Sequence, residues 1–185
     1  MTLPFEYVPD LVNANFIAGV TRIIEECRDK APAFFDDVHS FIERAEKSGI
    51  PFVIITKGEL HHQQDKIAAL EEYLGGKKLK TFVLGDKTED EYLKVVNALS
   101  VRPEEFLMMG DSVVSDVTPV LEIGGQAIHL ERPATHGVKW AFEKAQLPLG
   151  VKAASSLTEV SMIIKEMTAR KAVPAESAKR QQQPK

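Results

Sequence analysis

The stretch Phe106-Leu107-Met108-Met109-Gly110-Asp111-Ser112-Val113-Val114-Ser115-Asp116 constrains this chain more than any other. Four apolar residues in a row suit a strand buried on both faces of a parallel sheet. The run breaks at Gly110 and delivers two carboxylates five positions apart. Asp111 falls at the carboxyl end of the strand, where open α/β sheets form their ligand crevice. Asp116 falls in the following loop or first helical turn, close enough to share one ion. Oxygen ligands so spaced suit a hard cation such as Mg²⁺, which keeps waters and completes its shell from a phosphate. A plainer alternative has Asp111 capping a helix and Asp116 as a solvated first-turn acid favoured by the helix dipole.

The flanking sequence repeats the pattern of apolar run, turn and amphipathic helix. Pro51 to Thr56, Leu79 to Leu84 and Gln126 to Leu130 are further short apolar runs that read as strands. Helices are predicted between them. One spans Asp10 to Arg28, with Leu11, Phe16, Val20, Ile23, Ile24 and Cys27 roughly on one face. The next is capped by Asp36 or Asp37 and turns Val38, Phe41, Ile42 and Ala45 inward. A third runs from His61 to Tyr73, closed by Gly75-Gly76. Thr88 followed by Glu91 is a capping box that opens a helix to about Leu99. Two more are predicted after Asp116 through Ile123 and around Leu157 to Met167. Such alternation with short connections predicts an α/β fold with a parallel sheet covered on both faces. Residues 1–35 read as an extended segment plus a helix, 36–169 as the α/β core, and 170–185, with Gln181-Gln182-Gln183-Pro184, as a disordered polar tail.

Composition narrows the partners. Across 185 residues the formal charge is -4, so no basic excess exists to neutralise nucleic-acid phosphates. The apolar runs are far too short to span a bilayer, and no basic-then-apolar signal opens the chain. Cys27 stands alone, which rules out an intramolecular disulfide and fits a reducing compartment. The expectation is a cytoplasmic protein with neither nucleic-acid nor membrane partners.

Three predicted strand ends carry polar residues that a purely structural sheet does not demand: Thr56, Lys87 three residues past Leu84, and Asp111. Parallel strands point these ends at one rim. A hydroxyl, an ammonium and paired carboxylates make sense there around a phosphoryl group. The Thr56 hydroxyl and the N–H groups of Lys57 and Gly58 would bind phosphate oxygens, Lys87 would neutralise developing charge, and Asp111 with Asp116 would anchor Mg²⁺. The bland alternatives are a β-branched strand residue at Thr56 and a surface lysine at Lys87. His61 and His62 read as mostly surface residues, His129 and His136 as strand-end or loop histidines, and Trp140 and Phe142 as loop packing.

In order and spacing, Ile54-Ile55-Thr56-Lys57-Gly58, then Lys87 in Asp86-Lys87-Thr88-Glu89-Asp90-Glu91-Tyr92, then Gly110-Asp111-Ser112-Val113-Val114-Ser115-Asp116 resemble motifs two, three and four of the haloacid dehalogenase (HAD) superfamily. The resemblance spans roughly residues 33 to 165. It implies a Rossmann-like three-layer αβα fold and a Mg²⁺-dependent phosphatase lineage. It also implies phosphate-binding roles for Thr56 and Lys87, beside the Lys57 and Gly58 N–H groups read above, catalytic roles for Lys87 and Asp111, and metal-binding roles for Asp111 and Asp116. The expected ligand is a small phosphorylated molecule or phosphate.

The family attacks phosphorus through the first Asp of an Asp-x-Asp motif on a strand preceding motif two. No apolar strand followed by Asp-x-Asp occurs here before residue 50. Asp10 is the nearest candidate, with Val12 in place of the second acid, and Asp36-Asp37 stands close to the helix entry. That strand lies centrally in the family, between those ending in Thr56 and Asp111, so here it is missing or replaced. Unpaired buried backbone groups cost about 1–3 kcal/mol each. Either residues 3 to 8 fill the position, the neighbours pair directly, a partner chain supplies a strand, or an upstream segment does, with residues 10–35 as a cap remnant. Two functions stay open: a HAD-type phosphomonoester hydrolase, and a catalytically silent HAD-like binding or protein-interaction module. A response-regulator-like receiver fits less well, because its acids precede the Thr and Lys.

Overall fold

The computed structural model describes Arg22, residues 32–132 and residues 146–172. Its elements run α1 (Asp37–Lys47), β1 (Ile54–Lys57), α2 (Leu60–Tyr73), β2 (Thr81–Leu84), α3 (Glu89–Leu99), β3 (Leu107–Gly110), α4 (Thr118–Glu122), β4 (Gln126–Leu130), β5 (Lys152–Ala154) and α5 (Leu157–Ala172). A single π-helical turn, Val113–Val117, separates β3 from α4. Apart from Arg22, the predicted helix over Asp10 to Arg28 lies outside the described residues, as do the loop around His136, Trp140 and Phe142 and nearly all of the polar tail.

Strand pairing is parallel throughout, and the fold is the expected α/β type. The strands form two half-sheets: β1 with β2, and β3-β4-β5. Side chains alternate across β3 as a strand requires. Leu107 and Met109 pack with Phe41 and Ile42 of α1, Leu70 and Leu74 around the end of α2, and Val160 and Ile164 of α5. Phe106 and Met108 pack on the other face with Tyr92 and Val96 of α3 and Val120 of α4. Helices therefore cover both faces, giving three layers. Each large apolar side chain so buried contributes about 1.5–3 kcal/mol relative to exposure.

Between the half-sheets lies an apolar slot. The Ile54 N–H donates to Lys80 O and the Gly58 N–H to Leu84 O, while Phe106 O accepts from the Gln126 N–H. Backbone groups on a strand alternate in direction, so Ile55 and Lys57 on one side, and Leu107 and Met109 on the other, face the gap. Among the described residues no strand pairs with either edge. A cavity of about 720 Å³ opens there, walled by Phe41, Ile54, Ile55, Leu107, Met109 and Ile164 among others. The neighbours do not pair directly, which removes one of the four options for the central position.

Two local expectations are corrected. Neither Asp36 nor Asp37 caps α1 through its side chain. Asp37 instead accepts two hydrogen bonds from Arg132 Nη2, at 2.7 and 2.9 Å, and one from the Leu157 N–H at 2.8 Å. It thus pins α1 to the end of β4 and the start of α5. The loop before α5 also contains β5, a strand that Lys-Ala-Ala does not announce. By contrast Thr88 does cap α3, its hydroxyl accepting from the Glu91 N–H.

Burial pushes the Asp37 carboxyl up, but its hydrogen bonds to Arg132 and Leu157 outweigh that and leave it below the usual range. A carboxylate lowered on folding stabilises above its unfolded pKa, and that contribution is lost as pH falls through the folded value. Asp37→Asn should therefore cost about 1.5–3 kcal/mol in urea unfolding at pH 7. The gap from wild type should narrow below about pH 4.

Candidate functional site

The two half-sheets meet chemically through one ion pair. Lys87, on the loop leaving β2, places Nζ 2.5 Å from Oδ1 of Asp116, on the turn leaving β3. Their side chains are 12% and 4% exposed. The contact sets the carboxyl ends of β2 and β3 on the same rim. Charges this dry must be well paired, because each loses several kcal/mol of hydration.

The chain around Asp116 is shaped to hold it. Oδ2 accepts from the Ser112 N–H at 3.1 Å. The buried Tyr92 hydroxyl lies 3.5 Å from Oδ1 and donates to Ser115 O at 3.0 Å. Burial, and next the Asp116 charge, push the Tyr92 phenol far above its ordinary pKa, so it stays a neutral donor. A π-helical turn is the local distortion that brings Asp116 back over the strand end, a feature often found at functional sites. Gly110 permits the approach, since a Cβ there would lie 2.2 Å from Asp116 Oδ2.

Along the rim, Asp86 Oδ1 accepts from the Lys87 N–H at 2.8 Å and from Lys57 Nζ at 3.1 Å. Those two donors, the backbone one first, hold its carboxyl below the usual range. Thr56 at the end of β1 donates its hydroxyl to Gln63 Oε1 of α2 at 2.8 Å. Asp111 is exposed directly beyond β3. Its carbonyl accepts from His129 Nε2–H at 3.0 Å, and the opposite ring nitrogen faces Glu131 at 3.5 Å.

A sequence profile of haloacid dehalogenase-like hydrolases matches residues 10–124. The chain belongs to that family. Among solved structures, a HAD-like family hydrolase from Xanthomonas campestris superposes with a TM-score of 0.66 at 22% identity, over 86% of this chain and 61% of that one. An uncharacterized protein from Listeria monocytogenes gives 0.60 at 16% identity, over 74% and 82%. A HAD phosphatase from Thermococcus onnurineus gives 0.54 at 20% identity, over 70% and 57%. At these identities the likeness concerns the fold. The chain spans 61% of the Xanthomonas protein and 57% of the Thermococcus protein. No curated protein sequence matches it.

In this HAD-like chain the predicted residues fall into two groups. Lys87, Asp116 and, through Asp86, Lys57 form one chain of contacts along the rim. Thr56 and Asp111 stand at the ends of β1 and β3, which do not pair, each held by a different helix or strand. Asp116 is not the solvated first-turn acid of the plain alternative, because it is almost wholly buried. The Gly58 N–H is engaged by Leu84 O, so the donor expected there is already used in the β1–β2 ladder. Asp10 lies outside the described residues. Tyr92 and Gln63 were invisible in the sequence as site residues. Tyr92 reads as a core position of α3, and Gln63 as one of two adjacent glutamines on a polar helix.

The two carboxylates match Mg²⁺ in kind, being hard oxygen donors, but two of them supply only part of a six-oxygen shell. Among the described residues no group of three Asp, Glu, His or Cys side chains forms a metal site. No described helix is long and apolar enough to cross a membrane.

Gly110→Ala should force Asp116 off its seat and cost about 1–3 kcal/mol by thermal or urea unfolding. Tyr92→Phe, which keeps the ring and removes the hydroxyl, should cost about 0.5–1.5 kcal/mol. A Gly110→Ala protein as stable as wild type would show that Asp116 does not need this approach.

Proposed function

We propose that the chain is a phosphate-binding HAD core of the phosphomonoester-hydrolase lineage. Thr56, the Lys57 N–H and Lys87 hold the phosphoryl group, and Asp111 with Asp116 stands on the metal side of it. The observation that carries this reading is the buried Lys87–Asp116 pair at the shared rim. A lysine whose side chain is only 12% exposed beside a carboxylate has no packing reason to be there, and its ammonium can turn to an incoming anion without crossing bulk water. Lys87 then neutralises phosphoryl charge while Asp116, anchored by the Ser112 N–H, keeps the ammonium in place. Asp111, exposed beyond β3, would hold Mg²⁺ together with Asp116, and the ion would supply charge neutralisation and orientation at the phosphoryl oxygens.

The attacking carboxylate is a separate matter. In the family it stands on the strand between those ending in Thr56 and Asp111, and among the described residues no strand lies between β1 and β3. This favours the second reading, in which the chain binds phosphate but hydrolyses esters very slowly or not at all unless a further strand supplies the group.

Two measurements test this. Saturating Mg²⁺ and inorganic phosphate at about ten times Kd should raise Tm by about 3–6 °C. Asp111→Asn, on an exposed residue, should abolish the shift while leaving the ligand-free Tm near wild type. No shift at millimolar ligand would remove the phosphate-binding reading. With p-nitrophenyl phosphate and Mg²⁺, turnover should be at or near background. Robust turnover that Asp111→Asn abolishes would instead make this chain a complete enzyme.

A further inference from the structure

We propose that Gln63 belongs to the phosphate cradle, its amide holding the Thr56 hydroxyl and supplying, through Nε2, the donor that Gly58 cannot give. This rests on the phosphate-binding reading above and names a residue which that reading does not contain.

The loop that leaves β1 is built around this side chain. Gln63 sits in the first turn of α2, its own N–H closing onto Glu59 O. From there the side chain folds back over the strand end, and Oε1 takes the Thr56 hydroxyl proton at 2.8 Å. Nε2 lies in the space that a side chain at Gly58 would fill, since a Cβ there would come within 2.8 Å of it. Gly58 is held at φ +136°, which a side-chain-bearing residue rarely adopts. The amide thus spans both residues of the strand exit, and the glycine makes room for it.

The donor count at this exit follows. A phosphoryl group approaching a strand end is ordinarily met by a hydroxyl and successive backbone N–H groups. Here the Gly58 N–H is spent on Leu84 O and the Thr56 proton on Gln63. Of the two strand-exit N–H groups expected to meet the phosphate, those of Lys57 and Gly58, the second is therefore already engaged. A rotation of the Thr56 hydroxyl toward a phosphate oxygen releases Oε1, and Nε2 still carries two protons to donate. Gln63 therefore acts as a stand-in acceptor for Thr56 before the anion arrives and as a direct donor afterwards. A neutral amide suits this double duty. A carboxylate in its place would accept equally well from Thr56 but would repel the anion and donate nothing.

The test uses isothermal titration of inorganic phosphate into the full chain with Mg²⁺ present. Gln63→Met keeps the helix and the bulk but removes donor and acceptor, and should weaken phosphate about tenfold. Gln63→Glu keeps the acceptor, adds charge, and should weaken it at least a hundredfold. In wild-type protein the Gln63 side-chain amide resonance in ¹⁵N NMR should move with the titration, a readout that needs no variant to fold. Gln63→Met binding as tightly as wild type or tighter, or a static amide resonance while phosphate saturates, would overturn the role of Gln63. Those outcomes leave the phosphate site standing as long as Asp111→Asn still abolishes binding. Wild-type protein that takes up no phosphate would overturn the site and this inference together.

Discussion

Lys87 and Asp116 form the contact on which the rest of the rim depends. Both charges are almost out of water, and a pair in that position is stable only when each partner's remaining hydrogen-bonding capacity is met. The surrounding sequence is arranged to meet it. Ser112 offers its N–H, Tyr92 brings a neutral hydroxyl that burial keeps protonated, and a π-helical turn swings the carboxylate over the strand end. Gly110 has no side chain because none would fit. Where no described strand pairs β1 to β3, this pair also performs a structural task, holding the exits of β2 and β3 together across the 29 residues that separate them in sequence.

The parts of this arrangement that were legible in the sequence are those with a strong local cause. An apolar run broken by Gly and followed by two acids reads as a strand end with chemistry, and the Thr88–Glu91 pair reads as a helix start. Both are decided within a few residues. Lys87 was legible by its position after an apolar run, although its partner could be named only from the fold. Asp37 was misread because a helix-entry aspartate usually caps, whereas here Arg132 and Leu157, 95 and 120 residues away, compete for it and win. The strand β5 escaped because Lys-Ala-Ala has little strand preference, and pairing with β4 supplies what propensity does not. Gln63 carried no signal at all, since its role arises from a helix folding its first turn back over a strand exit.

The slot between the half-sheets links architecture to chemistry. Its walls are largely apolar, and its edges carry backbone groups directed at one another across the gap between β1 and β3. A strand laid there would complete a six-stranded sheet of ordinary size and bring its last residue between the strands that end in Thr56 and Asp111. On the proposed reading, binding a phosphate and attacking it are separable: the first would belong to the β1, β2 and β3 exits, and the second to whatever occupies the centre.

The Asp37 clasp has a consequence for how the polypeptide acquires its shape. Its carboxylate waits on Arg132 and on the first amide of α5, so the earliest described helix is secured by groups that emerge from the ribosome long after it does. Contacts of such span are slow to form, because a large loop must close before any reward is felt. During synthesis α1 can coil and rest on its nearest apolar neighbours, but it cannot lock. The clasp closes only after Leu157 has been made, and until then the apolar face of α1 is open to any extended segment that reaches it first.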